Sequence, residues 1–213
     1  MSNDHNNHSF EAENYDKLAK EYKWFGPEIL FGLVYEYINP EDKLLDIGIG
    51  TGLCSKEFKK AGLEITGING SSEMLEVCRR KQIAENLIKI DIKNTPWFPE
   101  DSNFNIIISG GVFHFFGDLS SIFNEIGRIL VPGGIVAFTI KSALDSKFVL
   151  DQRFYYELYE EGIPVYSHNR LFIDKILTDN KLIVQKELKF YVNTDKDREA
   201  VFEAIVAKKI LTE

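Results

Sequence analysis

The stretch LLDIGIGTGLCSKEFKKAGLEITGINGSSEMLEVCRRK, residues 44–81, decides how this chain folds. With Lys43 included, KLLDIGIG is apolar enough for a buried strand, TGLCSKEFKKAG has helical spacing and ends in Gly62, and LEITGIN reads as a second strand. The dipeptide Asn69-Gly70 invites a hairpin, because that pair most often supplies a two-residue turn. A hairpin needs another strand at once. SSEMLEVCRRK instead offers a serine cap and then Met74, Leu75 and Cys78 at helical spacing. The stretch is therefore a βαβ unit running on into a helix, and its second strand stops at Asn69 with that side chain free to meet a ligand.

The rest of the chain extends this rhythm. After a polar tail of about eight residues, Tyr15, Leu18, Ala19 and Tyr22 form one helical stripe; Ile29, Leu30, Leu33, Val34 and Tyr37 form another, closed by Pro40. NLIKIDI (86–92), FNIIISGG (104–111) and IVAFTI (135–140) supply a third, fourth and fifth strand. Between the last two lies a helix capped by Asp118 and stopped by VPGG, with Leu119, Ile122, Phe123, Ile126, Ile129 and Leu130 on one face. Such alternation predicts an α/β fold with a doubly wound, mainly parallel sheet and helices on both faces. LIVQKELKFYV and VFEAIVAKKI, joined by the short polar NTDKDREA, predict an antiparallel strand pair at the C-terminal edge. The sequence is read as a single domain over 1–213, with a helical cover at about 9–38 and a cap-like insertion at about 142–180. Phe148, Phe154, Tyr155, Tyr156, Tyr159, Tyr166 and Phe172 crowd the insertion. Two readings of it stand: a helix packed on the sheet, or a cap whose rings wall a pocket.

Composition narrows the function classes. The chain has 213 residues, 44% of them hydrophobic and 13% aromatic, enough for one sizeable core. A net charge of −8 argues against nucleic acid as the main partner, since neutralising phosphates needs a basic field. Lys59, Lys60, Arg79, Arg80 and Lys81 have acidic neighbours and read as solvated helix faces. Cys54 and Cys78 are too few for a disulfide framework or a four-cysteine zinc site and fall on apolar helix positions, as buried thiols do. No apolar run approaches the ~20 residues of a membrane span, and MSNDHNNHSF lacks the basic-then-apolar pattern of a leader. The expected setting is soluble, reducing and cytoplasmic.

In a doubly wound sheet, ligands lie beyond the carboxyl ends of the strands. The first strand ends in DIGIGTG, where Gly48, Gly50 and Gly52 permit a tight turn and a close backbone approach, followed by helix N-terminal amides. A dinucleotide-binding loop has a small residue where Leu53 stands, so a nicotinamide-dependent dehydrogenase is disfavoured.

Several segments together resemble the class I S-adenosylmethionine (SAM) dependent methyltransferases. LLDIGIGTG is similar to the family's first motif, GINGSSEML to the end of its second strand, IKID to its third motif, FNIIISGGVFHFF to its fourth, and EIGRILVPGG to the helix and turn before its fifth strand. YDKLAKEY further resembles the cofactor-covering segment of small-molecule methyltransferases. The resemblance implies a Rossmann-like seven-stranded sheet with an antiparallel C-terminal pair. It also implies SAM as cofactor. On it, Asp46 orients the cofactor's amino-acid end, and the backbone from Gly48 through Gly50 to Gly52 faces the methionine and ribose. Asn69, with Gly70, falls where the family has an acidic residue for the ribose hydroxyls. Asp91 meets the adenine amino group, with Ile90 and Ile92 near the ring. Met74 packs on the adenine or in the helix core. Tyr15 and Ser109 complete the expected cofactor contacts.

Asn69 departs from the family pattern. An amide accepts through one oxygen where a carboxylate accepts two charge-assisted bonds, a loss of roughly 1 to 2 kcal/mol unless Glu73, Ser71 or Ser72 compensates. Methyl transfer from a sulfonium requires no metal, only alignment and exclusion of water. His114, at the end of the fourth strand, is the candidate base or else a hydrogen-bonded loop histidine. Tyr155, His168 and Arg170 are candidate acceptor contacts, Arg170 for a carboxylate. The fourth strand ends in SGGVFHF and lacks the NPPY-type signature of amide-methylating enzymes, which favours a small-molecule acceptor. A second function class stays open: a protein of this fold that binds SAM or a nucleoside without catalysis.

Overall fold

The computed structural model describes residues 3–99, 103–142, 154–160, 162–194 and 198–211. Helix α1 (Asn3–Glu21) begins where the sequence suggested a polar tail, and α2 (Gly26–Val34) follows, with Pro27 in its first turn. Proline is favoured there because its missing N–H would have no helical partner. The βα units then run β1 (Lys43–Ile47), α3 (Ser55–Lys60), β2 (Glu64–Asn69), α4 (Ser72–Arg80), β3 (Asn86–Lys89), β4 (Phe104–Ser109), α5 (Ser120–Ile129) and β5 (Leu130–Ser142). β6 (Tyr155–Glu160), β7 (Ile163–His168), α6 (Arg170–Asp179), β8 (Leu182–Thr194) and β9 (Arg198–Lys209) complete the order.

The strands β3-β2-β1-β4-β5 lie side by side and parallel, and β9 joins β5 antiparallel with β8 outside it. These seven strands are the sheet expected from the sequence. Two more were not expected. β6 and β7 form an antiparallel hairpin, and β7 pairs with the last two residues of β5, Lys141 with Ser167 and Ser142 with His168. β4 has already ended at Ser109, opposite Phe138, and β9 occupies the other edge of β5, so the hairpin takes the edge that β4 vacates. The sheet therefore forks at the end of β5. Among its described residues the insertion holds the β6–β7 hairpin, which extends the sheet, and then α6, a helix packed on the sheet. Phe148 lies outside the described residues.

Helices cover both faces, which explains why β1 and β4 are apolar nearly throughout. On one face Leu30, Val34, Phe58, Leu75 and Cys78, from α2 to α4, pack on Leu44, Ile65, Ile106 and Ile108. On the other, Ile122, Phe123 and Ile126 of α5 and Phe172, Ile173 and Ile176 of α6 pack on Leu45, Ile107, Val136 and Phe138. Phe113, Phe123 and Phe138 meet ring to ring at 5.1–5.6 Å beneath the fourth strand's end, a contact that fixes the following loop. Several boundaries differ from the sequence reading, the third strand ending at Lys89 and the fourth at Ser109, each short of the expected stretch. VPGG is part of β5 rather than a separate turn, and α5 starts one residue later, with Asp118 accepting the Ser120 N–H at 2.8 Å. Among the described residues no helix is long and apolar enough to cross a membrane.

Candidate ligand site at the strand ends

The three loop glycines all have left-handed backbones, with φ of +77° at Gly48, +53° at Gly50 and +86° at Gly52. Each is glycine for its own reason. A Cβ on Gly48 would lie 2.5 Å from Val112 Cγ2, and one on Gly52 would press on Cys78 and Ile83 at 3.0 Å. At Gly50 nothing comes nearer than 3.9 Å, so that position opens toward a ligand. Asp46, buried in β1, accepts a 2.7 Å hydrogen bond from Ser55 Oγ. Burial pushes its carboxyl up to about 7, and the Ser55 bond offsets only part of that. A cation placed beside Asp46 would restore its charge.

Helix α1 lies over this loop. Asp16 accepts from Thr51 Oγ1 at 2.5 Å and from Lys81 Nζ at 2.5 Å, and Arg80 pairs with Glu13. On α1 itself, burial, then Cys54, Asp16 and Asp46, push the Tyr15 phenol up to about 12. The helical cover is thus held onto the glycine loop and α4 by Glu13 and Asp16. Nothing in YDKLAKEY marks Asp16 as the residue that does so; the Thr51 hydroxyl in the glycine loop is the one local hint. Trp24, just past α1, packs edge-on to Phe202 at 5.2 Å and against Gly111. The sequence reading passed over it.

Asn69 ends β2 half-buried, and its side chain has no hydrogen-bond partner among the described residues. Its nearest possible substitutes are engaged. Ser71 caps α4 by accepting from Met74 N and donates to Glu73, while Ser72 accepts from Lys89. Asp91 is exposed; one of its oxygens accepts the Lys93 N–H at 3.0 Å, and the carboxylate makes no other side-chain bond among the described residues. Gly70 is exposed, and Met74 and Ile90 are half-buried beside this edge.

Two residues expected at the cofactor have buried side chains. Ile92 turns its side chain into the core with Trp97, whose indole donates to the Ile92 carbonyl at 3.0 Å, so that side chain is withdrawn from a ligand. Ser109 is fully buried and donates to the Ile47 carbonyl at 2.9 Å. It ties β4 to β1 and positions the loop. Both thiols are buried and unlinked, as their positions implied.

Beyond β4 and β5 lies a second, aromatic corner. His114 sits in a 3-10 turn (Phe113–Phe115), its ring 4.1 Å from Phe115 and edge-on to Phe202 at 5.4 Å. Burial first, then Lys141 and His168, push it down to about 3, so it is neutral and a weak base. His168 joins the same corner from β7, and burial pushes it down to about 4. Tyr155 packs flat on Gly117, where a Cβ would come within 2.5 Å of its ring. Arg170 does not face an acceptor. Its guanidinium pairs with Asp174 at 2.7 Å and Glu187 at 2.5 Å, and lies 3.7 Å from Glu203. Lys141 pairs with Glu160 of the hairpin. The expected acceptor residues therefore divide: His114, His168 and Tyr155 come together, and Arg170 is bound elsewhere.

Residues 45–138 match a family model described as a methyltransferase domain. Over 132 residues the chain is 31% identical to a malonyl-[acyl-carrier protein] O-methyltransferase of Serratia marcescens, covering 62% of this chain and 50% of that protein. A demethylmenaquinone methyltransferase of Thermotoga maritima is 30% identical over 132 residues, covering 56% of each. The chain thus spans about half the length of the curated relatives it matches. A SAM-dependent methyltransferase from Methanosarcina mazei superposes with a TM-score of 0.70 at 18% identity, over 84% of this chain and 98% of that one. A Synechocystis magnesium protoporphyrin IX methyltransferase with bound SAH does so at 0.63 and 15%, over 85% and 80%. At such identities the superpositions establish the fold.

Proposed function

We propose, on the premise that this chain belongs to the class I SAM-dependent methyltransferase family, that it transfers the methyl group of SAM to a small-molecule acceptor. The observation that carries the reading is the row of groups at the carboxyl ends of three neighbouring strands, β1, β2 and β3. It holds an open position at Gly50, a buried carboxyl at Asp46, and the Asn69 amide and Asp91 carboxylate at the ends of the next two strands. Those groups match the parts of SAM in order. The cofactor's ammonium suits Asp46, its ribose hydroxyls suit Asn69, and its adenine amino group suits Asp91. SAM supplies the electrophilic methyl on a sulfonium. Tyr15 and the rest of α1 keep water away from it, and the corner beyond β4 holds the acceptor.

The methyl passes in line: the acceptor atom attacks carbon as the sulfur–carbon bond breaks, and a protic acceptor must then lose its proton. His114 is the base nearest the strand end. Its low basicity still suffices for an oxygen acceptor, because a freshly methylated hydroxyl is a far stronger acid than imidazolium.

Isothermal titration should show binding of SAM and S-adenosylhomocysteine and none of NAD, and radiolabelled methyl should pass from SAM into a metabolite pool. Binding of NAD in preference to SAM would end this reading. A second reading, a SAM or nucleoside binder without catalysis, is favoured by the amide at position 69. Tight SAM binding with no labelled product would support it.

A further inference from the structure

Among the described residues, two buried side-chain polar atoms lack a hydrogen-bond partner, and both are imidazole nitrogens, His114 Nδ1 and His168 Nδ1. Buried polar groups without partners are rare in native proteins, so a pair in one corner calls for an explanation. The two residues belong to elements that touch. His168 Nε2 lies 2.9 Å from the Phe116 carbonyl oxygen and 3.2 Å from that of Gly117, just beyond His114 in the chain. A nitrogen between two carbonyl oxygens must carry the hydrogen, since a lone pair there would face only other lone pairs. The tautomer of His168 is thereby fixed: Nε2 donates, and Nδ1 keeps a bare lone pair with nothing to accept from.

We infer that the corner between His114 and His168 is the acceptor subsite, that His114 takes the same tautomer as His168, and that the corner takes an uncharged, hydroxylated aromatic molecule whose hydroxyl hydrogens fill the two Nδ1 positions. This inference rests on the methyltransferase reading. A lone pair attracts a hydroxyl hydrogen and repels a carboxylate, and both imidazoles are kept neutral by burial. Of the nearby cations, Lys141 is paired with Glu160 and Arg170 with Asp174 and Glu187, while Lys93 lies over the Phe116 ring at 5.5 Å. Aromatic rings surround the pair. Phe172 stacks on His168 at 6.3 Å and 19°, Phe202 stands edge-on to His114, and Tyr155 lies 6.4 Å from His168. A cleft of about 370 Å³, lined by Phe116, Gly117, Tyr155 and Tyr166 with Lys93 and Asp118 also on its wall, adjoins the corner. In the transfer, the S–CH₃ bond of SAM breaks as the O–CH₃ bond forms, and the hydroxyl proton passes to His114 Nδ1 and then to solvent.

The test uses the full chain labelled with ¹⁵N-histidine, with and without S-adenosylhomocysteine, titrated with catechol, benzoate and cyclohexane-1,2-diol. Catechol should shift the Nδ1 resonances of both histidines, and benzoate and the diol should bind at least tenfold more weakly. Unmoved resonances, or benzoate binding as tightly as catechol, would overturn the inference. Equal binding of the diol would overturn its aromatic part. His168→Gln separates binding from folding, because the glutamine amide can still donate to Phe116 and Gly117 but offers nothing at the Nδ1 position. It should keep the thermal midpoint and lose catechol affinity at least tenfold; a folded variant with unchanged affinity refutes the assignment. Should that variant not fold, the wild-type resonances decide. Failure of S-adenosylhomocysteine to bind would count against the methyltransferase reading alone, since the catechol response is read without it as well.

Discussion

The row of strand ends has two halves that are built in opposite ways. At the β1–β2–β3 end, the groups proposed to meet the cofactor come from short consecutive loops whose turns and caps are set locally, Ser55 holding Asp46, Ser71 capping α4 and the glycines turning the chain, while α1 is held over them from a distance by Asp16 and Glu13. At the β4–β5–β7 end, the neighbours are distant in sequence. His168 reaches the Phe116 carbonyl across 52 residues, and Lys141 reaches Glu160 across 19. The first end keeps a carboxyl short of its charge, and the second keeps two imidazoles short of theirs. One end is thus prepared for a cation, the other for a neutral molecule.

The largest expected effect tests how rigid the first end is. Gly48→Val puts a branched side chain at φ +77° and 2.5 Å from Val112, and should cost about 3 kcal/mol or more of unfolding free energy. Gly162→Ala, in the hairpin turn at φ +83° with open space around it, should cost about 1 kcal/mol. Urea midpoints measure both, and equal losses would break the contrast.

Next in size is Asp46→Asn, which removes a charge-assisted partner of the cofactor's ammonium and should weaken SAM binding by about 2 to 3 kcal/mol. In the wild type, SAM binding near pH 6 should release a proton from Asp46, so affinity should rise with pH and level off above about 7. Titration in buffers of different ionisation enthalpy reads that proton directly. Unchanged affinity in the folded variant would remove Asp46 from the site.

The pH dependence of stability sharpens the comparison, because the two ends act with opposite sign. The Asp46 carboxyl is raised to about 7 in the folded state, so its protonation favours folding as pH falls from 7 to 5, by about 2 kcal/mol. His114 and His168 are depressed to about 3 and about 4, so their contribution is complete above the ordinary histidine value and is lost as pH falls, about 2 kcal/mol each by pH 5. The wild type should therefore lose roughly 1 to 2 kcal/mol between pH 7 and 5. His168→Gln should flatten that loss and Asp46→Asn should steepen it. Thermal midpoints across the range decide, and parallel curves for all three proteins would show that neither end titrates as described.

The smallest effect concerns Asn69. Asn69→Asp supplies the second charge-assisted acceptor for a ribose and should tighten SAM and S-adenosylhomocysteine alike by about 1 kcal/mol, with little change in kcat. Weaker binding of both would indicate a site shaped for an amide.

The same contrast explains what could be read before the structure. The βα rhythm, the glycine loop, the Ser71 cap and the edge at Asn69 and Asp91 were legible because backbone turns and caps are dictated locally. The inward turn of the Ile92 side chain was not legible, because the resemblance placed it near the adenine while Trp97, from beyond the strand, holds it in the core. The Ser109 bond to Ile47 was not legible either, because a hydroxyl at a strand end serves a neighbouring carbonyl as readily as a ligand. The hairpin of YYELYE and IPVYSH was illegible, since its partner is the exposed end of β5 and only the finished sheet shows that β4 leaves that edge free. Arg170 looked available because Glu187 and Glu203, which surround it, lie on later strands.

The fork at the end of β5 also bears on solubility. An ordinary sheet has two outermost strands, whereas this one has three, β3, β6 and β8, each with backbone groups that could recruit another chain. Each carries its own deterrent. β3 is only four residues long and bears Lys89, β6 exposes Glu157 and Glu160, and β8 carries Lys186, Glu187 and Lys189 in near succession. Neutralising Glu157 and Glu160 together would leave Leu158, Tyr159 and Ile163 exposed on an unguarded rim, and the protein should then precipitate at lower concentration.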